Sequence, residues 1–342
     1  MDVLRRRGRL TAALAIAATA AIGLSACGSS SSASGGSSAS KELNVVGFSV
    51  IKSAYDELGT SFAKTPAGAG VTFKGSYGAS GAQSRAVIAG QKADVVAFSL
   101  APDLTAVADA GKVDPTWADG PTKGIASSSV VVIAFRKGNP KHITGWNDII
   151  KPGVGIVTAD PGTSGSAKWN LLAAYAQAAG TPENEAAGKT YLTGFIKNVV
   201  SWNESGRVAT DTFSKGTGDV LISYENEAIA ARAAGVELDY IVPDSTILIQ
   251  NPAAVTKGAA PAAADFLKYI ESADGQKILA SAGFRPVEGS GVTATDVKGA
   301  NDPANPFPTV AHLTTIDDLG GWKTANTKFF DKATGIVTEL RK

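Results

Sequence analysis

Three short segments of the 342-residue chain have a composition suited to holding an anion. They are Gly78-Ala79-Ser80-Gly81-Ala82, Pro161-Gly162-Thr163-Ser164-Gly165-Ser166-Ala167 and Glu204-Ser205-Gly206-Arg207. Each follows an apparent strand and precedes an apparent helix. A helix N-terminus presents backbone N–H groups without intrahelical partners and carries about half a positive charge. Small residues let an anion come close to those donors. Ser is also a preferred N-cap, so plain capping explains any one such segment. Three in one chain, all at the carboxyl ends of strands, where ligands of open α/β sheets bind, point to binding. Together they would form an anion site without a buried cation.

Catalytic patterns are missing. Ser80 and Ser164 lack the glycine that G-x-S-x-G requires two residues after the serine. Gly188-Lys189-Thr190 ends like a P-loop, but Glu183 stands where its first glycine should be, and no G-x-G-x-x-G run occurs. Asp160, before Pro161, reads as a turn former. The two histidines, His142 and His312, are far apart in sequence, and His142 falls in a surface turn after Gly138-Asn139-Pro140-Lys141. One cysteine makes no intramolecular disulfide and no cysteine-based zinc or iron–sulfur site. The net charge of +1 lacks the basic excess of a nucleic-acid binder. No cofactor or metal is expected.

The elements that would position the three turns alternate between strand and helix. Strands are expected at 43–46, 71–73, 94–98, 129–135, 155–158 and 219–222. Helices are expected at 54–64 through Leu58 and Phe62, at 82–91 with Val87 and Ile88 inward, and at 208–213 and 228–234. Trp169, Leu172, Ala173, Ala176 and Ala179 follow the spacing of an amphipathic helix. This alternation argues for an α/β fold with mainly parallel sheets. Two lobes are expected with a ligand cleft between them: residues 42–125 plus 246–342 form lobe I, and residues 126–245 form lobe II.

The N-terminus reads as an address. Arg5, Arg6, Arg7 and Arg9 precede the apolar run 10–24, which ends in Leu24-Ser25-Ala26-Cys27. The run is too short for a comfortable membrane span of ~20 residues and suits a signal peptide over 1–26. The last four residues resemble a bacterial lipobox, which implies acylation of the Cys27 thiol and cleavage before it. Residues 27–41 then form a linker. The Ser/Gly/Ala composition of 29–40 makes it flexible, with an r.m.s. reach of ~20 Å for a dozen residues. Removing 1–26 takes away four arginines and one aspartate, so the charge falls from +1 to −2.

Taken together, the motifs resemble those of the sulfate-binding proteins of bacterial sulfate/thiosulfate ABC importers, in the type II periplasmic-binding-protein superfamily. The resemblance rests on Gly78-Ala79-Ser80-Gly81-Ala82-Gln83 and Phe135-Arg136-Lys137-Gly138-Asn139-Pro140-Lys141 with Trp146-Asn147-Asp148. It continues in Thr163-Ser164-Gly165-Ser166-Ala167-Lys168-Trp169-Asn170, in Gly218-Asp219-Val220-Leu221-Ile222-Ser223-Tyr224-Glu225-Asn226-Glu227-Ala228, and in Phe284-Arg285-Pro286. Thr315-Ile316-Asp317 and Gly320-Gly321-Trp322 complete it. It spans residues 43–330, in order.

The resemblance implies two α/β lobes, a hinge of crossing strands and a cleft that closes on sulfate. It also implies a monomer that is not an enzyme, sits on the extracytoplasmic face of the membrane and delivers its ligand to permease subunits. Carried over, it assigns the ligand-binding set Ser80, Gly81, Ser164, Gly165, Ser166, Gly206, Arg207 and Tyr224. The N–H of Ser80, those of Ser164, Gly165 and Ser166 with the Ser164 hydroxyl, and the N–H of Gly206 would face the ligand. Arg207 stands beside them and is expected to pair with an acidic residue. The family tryptophan falls on Tyr224, a phenol that donates or accepts where an indole only donates. Ser166 replaces a glycine, and Ser49 stands where the family has an aspartate. Sulfate only accepts hydrogen bonds, whereas phosphate keeps a proton at neutral pH. A site of donors alone leaves that proton unpaired, at a cost of about 1–3 kcal/mol. The alternatives are a receptor for thiosulfate, molybdate or phosphate, or a cell-surface serine hydrolase.

Overall fold

A computed structural model describes residues 41–180 and 183–342, all within the unit Ala39–Lys342. The expected signal peptide at 1–26, Cys27 and all of the expected linker but its last residue lie outside the described residues. In chain order the elements are β1 (Glu42–Phe48), α1 (Lys52–Phe62), β2 (Thr72–Gly78), α2 (Ser80–Ile88), β3 (Val95–Ala97), α3 (Ala101–Asp109), β4 (Ile125–Arg136) and α4 (Trp146–Ile149). Then come β5 (Ile156–Ala159), α5 (Gly165–Ala179), α6 (Glu185–Asn198), β6 (Val199–Asn203), α7 (Gly206–Ser214), β7 (Val220–Tyr224), α8 (Glu225–Ala233) and β8 (Leu238–Ile241). The chain ends with β9 (Ser245–Val255), α9 (Ala262–Glu271), α10 (Ala273–Ser281), β10 (His312–Thr314), α11 (Gly321–Phe330) and α12 (Ile336–Leu340).

The strands pair in the order β2-β1-β3-β9-β4-β7-β5-β6, with β10 on β9 and β8 on β4. Two outer groups are parallel, as expected: β1 with β2 and β3, and β5 with β6 and β7. The long strands between them, β4 and β9, are antiparallel to each other and to the groups they join, and serve both, while β10 lies parallel to β9. β9 pairs β4 through Leu248–Pro252 and β3 through Ala253–Val255; β4 pairs β9 up to Val130 and β7 from Val131 onward. The chain therefore crosses from the first group to the second on β4 and returns on β9.

Hydrophobic patterning explains the core. Val130, Val131, Val132, Ile133 and Ala134 of β4 are all fully buried, because helices or loops cover both faces of the sheet there. Each such Val or Ile is worth about 1.5–3 kcal/mol. The expected strand at 71–73 runs on to Gly78, and that at 129–135 starts at Ile125.

Two local expectations change. Of the two apolar residues expected inward in α2, only Val87 is buried; Ile88 is 36% exposed. One apolar position per turn suffices for this short helix, whose Ser84 hydroxyl bonds the Asp103 carbonyl instead. In α5 the amphipathic stripe becomes a nearly complete burial, with Asn170, Leu171 and Ala174 buried as well. The helix is enclosed by β9, α6 and the second strand group. The fit is close: a Cβ on Gly188 of α6 would lie 2.3 Å from the Tyr175 ring. Gly188-Lys189-Thr190 is thus mid-helix in α6, where its N–H groups are spent on the helix ladder and cannot cradle a phosphate.

Candidate functional site

The three small-residue turns become the N-termini of α2, α5 and α7. Their ends meet at one small cavity. Phe48, Ser49, Val50, Gly78, Ala79, Ser80, Ser99, Ser164, Ser166 and Gly206 line a cavity of about 10 Å³. No charged side chain is among them. The N-cap residues of α2 and α5, Ala79 and Ser164, make no side-chain cap. Only α7 is capped, by the Ser205 hydroxyl accepting from the Val208 N–H at 3.3 Å, which leaves the first N–H, that of Gly206, uncommitted. Buried helix ends normally find such partners. Here two do not, and the remaining donors surround a common space.

Close packing brings the ends together. A Cβ on Gly165 would fall 2.7 Å from Ser99 Oγ and 2.8 Å from the Leu100 side chain. One on Gly206 would fall 3.0 Å from Ser166 Oγ and 3.1 Å from Val50. Both positions accept only glycine without a shift of neighbouring structure.

Each expected site residue has a definite place. Ser80, Ser164, Ser166 and Gly206 line the cavity, while Gly81 and Gly165 occupy the same helical turns just beside it. The expectation for the Ser164 N–H is corrected, because it donates to the Asp160 carbonyl at 2.9 Å and is not free for a ligand. The Ser164 hydroxyl bonds Ser166 Oγ at 2.8 Å, an arrangement in which one of the two hydrogens stays free. Asp160 is a turn former, accepting from the Gly162 N–H and pairing with Arg341. Tyr224 does not line the cavity. Its hydroxyl meets Ser99 Oγ at 2.6 Å, and burial, which outweighs the Ser99 and Asn251 hydrogen bonds, pushes the phenol well above its ordinary range.

Arg207 points away from the cavity into a wider, open pocket, lined also by Lys52, Asp56, Tyr77 and Glu204, that shares Ser49 and Gly78 with it. Its Nη2 stands 3.0 Å from Oε2 of the fully buried Glu227. The N–H directions miss the carboxylate, so neither Glu227 oxygen has an aligned hydrogen bond. Burial raises the Glu227 pKa, and Arg207 only partly opposes it.

Sequence reasoning missed Ser99 and Asp103. Ser80 Oγ donates to Asp103 Oδ2 at 2.6 Å and accepts from the Ser99 N–H at 2.9 Å, which locks its hydroxyl away from the cavity. Burial raises the Asp103 pKa against the lowering effects of Ser80, Lys168 and Arg85. The Ser99 carbonyl accepts from Trp169 Nε1 at 2.9 Å and Asn251 Nδ2 at 3.1 Å. Ser99 therefore ties β3, α2, α5, β7 and β9 together. The serine beyond the strand end was the one available signal. His142 and His312 are exposed, and no cluster of metal-ligating residues occurs among the described residues.

Comparison with known proteins agrees with this architecture. Residues 43–285 match the family described as bacterial extracellular solute-binding protein. The sulfate-binding protein of Synechococcus elongatus is 39% identical over 95% of this chain and 94% of its own. The thiosulfate-binding protein of Pseudomonas aeruginosa is 31% identical over 87% and 92%. The structure of the sulfate-binding protein SubI from Mycobacterium tuberculosis H37Rv superposes with a TM-score of 0.79 at 42% identity, covering 85% of this chain and 99% of that one. With its two parallel strand groups, two crossing strands and helix ends facing one cavity, the chain belongs to the bacterial extracellular solute-binding protein family.

Proposed function

We propose that this chain is the extracytoplasmic sulfate receptor of an ABC importer. The observation that carries the reading is the convergence of three helix N-termini, two of them uncapped, on one cavity without a charged side chain. The N–H groups of Ser80, Gly81, Gly165, Ser166 and Gly206, with the free hydrogen of the Ser164–Ser166 pair, supply the donors. Three half-charges from the helix ends offset the dianion without a salt bridge. Arg207 is held by Glu227 and leaves the ligand to neutral groups. The cavity lining has serine hydroxyls but no histidine, lysine or carboxylate to take a proton from them, so capture and release fits it better than catalysis. Relatives named for sulfate and thiosulfate support the same ligand class.

In this reading β4 and β9 form the hinge, with residues 42–125 plus 246–342 on one side and 126–245 on the other. The mature protein is a monomer, lipid-anchored at Cys27, that docks on permease subunits. No helix among the described residues is long and apolar enough to cross a membrane. The test is isothermal titration of the purified, dialysed chain with sulfate, followed by competition with thiosulfate, molybdate and phosphate. A one-to-one sulfate isotherm is expected. Tight phosphate or molybdate binding with no sulfate or thiosulfate binding would overturn the assignment.

A further inference from the structure

A second cavity lies on the far side of the crossing strands from Ser99. Successive side chains of a strand point to opposite faces. Asn251 faces Ser99, whose carbonyl accepts from its Nδ2, and Ser127 Oγ donates to Asn251 Oδ1 at 3.4 Å. Their neighbours Ser128 and Gln250, paired across β4 and β9, therefore face the other way, into a space of about 510 Å³. An adjoining space of about 250 Å³ shares Thr122, Ile125, Val287 and Glu288 with it. The walls hold polar groups that the fold does not use. Ser128 is only 8% exposed, and neither its hydroxyl nor the Gln250 amide has a hydrogen-bond partner among the described residues. Arg285 commits Nε and Nη2 to Glu225 at 2.6 and 3.0 Å, which leaves Nη1 without a protein partner. Lys123 and Glu288 line the same cavity, and neither forms an ion pair among the described residues. Because Arg285 and Glu225 offset each other, the lining carries one free charge of each sign. Ile125, Leu248 and the Phe307 ring make up much of the remaining wall.

We propose that this cavity is a second ligand site, which takes a free α-amino acid with a large apolar side chain, and that its occupancy is coupled to closure of the sulfate cavity. A space of several hundred Å³, mostly apolar with a few placed polar groups, has the size and make-up of a small-molecule site. The ligand carboxylate meets Lys123, the Ser128 hydroxyl and Arg285 Nη1. Its ammonium meets Glu288 and the Gln250 amide oxygen, and its side chain lies on Phe307 and Leu248. A zwitterion answers both free charges, whereas a simple acid leaves Glu288 unanswered and a simple amine leaves Lys123. The coupling, though not the site, rests on the oxyanion-receptor assignment. Residues 121–123 adjoin Trp117, which packs with Val46 and Val96 of the first strand group, while Phe307 packs with the core of the second. The walls therefore come from both sides of the crossing strands, and a bend there that narrows one face widens the other. In this structure the sulfate cavity is narrow, at about 10 Å³, and the one behind it is wide. The two ligands favour the same arrangement, so each raises the affinity for the other by the same factor.

The test uses L-phenylalanine and L-leucine as probes, titrated calorimetrically into the full chain with and without saturating sulfate. Hydrocinnamate and isocaproate, the same molecules without the ammonium group, are the controls. An amino acid is expected to bind one-to-one, more tightly when sulfate is present, and at least about tenfold more tightly than its control. Ser128→Ala removes a hydrogen bond to the carboxylate and should weaken the amino acid about tenfold, while sulfate affinity measured alone stays within about twofold. Phe307→Ala should weaken the amino acid as well, and thermal melts establish that both variants fold. If sulfate does not bind, the receptor assignment fails, and the amino-acid isotherm alone judges the site. If sulfate binds but neither amino acid does, the proposal falls while the assignment stands. If the controls bind as tightly as the amino acids, or Ser128→Ala leaves amino-acid affinity unchanged, the site is overturned. Equal amino-acid affinity with and without sulfate overturns the coupling.

Discussion

A single methyl group at Gly165 tests how tightly the cavity must close. In Gly165→Ala the added Cβ lies 2.7 Å from Ser99 Oγ, about 0.7 Å short of the 3.4 Å of ordinary contact. The Ser99 side chain has little room to yield, since its hydroxyl is bonded to Tyr224 and its backbone to Ser80, Trp169 and Asn251. The first turn of α5 must therefore back away. A displacement of that size stretches an N–H···O contact from about 2.9 Å to beyond the range of a hydrogen bond. The donors on that turn are the N–H groups of Gly165 and Ser166. Losing one bond to a charged ligand costs about 1.5–3 kcal/mol, which is roughly 10- to 150-fold in affinity. Titration calorimetry on the variant reads this directly, and a melt without ligand separates it from a folding defect. Because Ser99 follows β3 and Gly165 follows β5, strain between them acts mainly where the two strand groups close on each other. Sulfate affinity within twofold of wild type would refute the claim that this contact positions the α5 donors.

Other outcomes follow from the same geometry. Ser205→Ala removes the one side-chain cap among the three site helices and should lower stability by about 1 kcal/mol, measured by urea denaturation. Glu227→Gln addresses a buried carboxyl whose folded-state pKa is raised. The native state holds that proton more tightly than the unfolded chain, so wild-type stability drops as pH rises from the ordinary glutamate value of 4.5 toward the folded one. The variant lacks this drop, and its stability relative to wild type should increase between acid and neutral pH; a constant difference would contradict the burial argument. Cys27→Ser should shift the protein from the membrane to the soluble fraction of cells, assayed by fractionation and mass spectrometry of the N-terminus.

How much of this was legible in the sequence depended on the range of the interaction. Strands such as 129–135 were readable because β-branched runs between turn residues carry their own signal. The helix starts at Ser80, Gly165 and Gly206 were readable because small residues and hydroxyls mark an N-terminus locally. The burial of Asn170, Leu171 and Ala174 was not, because it depends on α6 and β9 covering a helix face that polar spacing left open. Ser99 was missed for the same reason. Its neighbours Leu100, Ala101 and Pro102 look like an ordinary helix start, and its meaning comes from Tyr224, Trp169 and Asn251, all at least 70 residues away. Tyr224 was expected to face the ligand, but its place behind Ser99, outside the cavity lining, required the packed structure. The segment after β9 gave no elements to sequence reading beyond its motifs, although α9, α10 and α11 contribute buried Phe266, Leu279 and Phe329 to the core.

The indole of Trp169 has an optical consequence. It is fully buried, donates to the carbonyl of Ser99 and meets Trp322 edge-on with ring centres 4.6 Å apart. Any movement that parts Ser99 from α5 exchanges that carbonyl for water and alters the surroundings of one chromophore in a coupled pair. Emission from this pair should therefore track occupancy of the cavity, and rapid-mixing fluorimetry would time ligand entry and escape without a label.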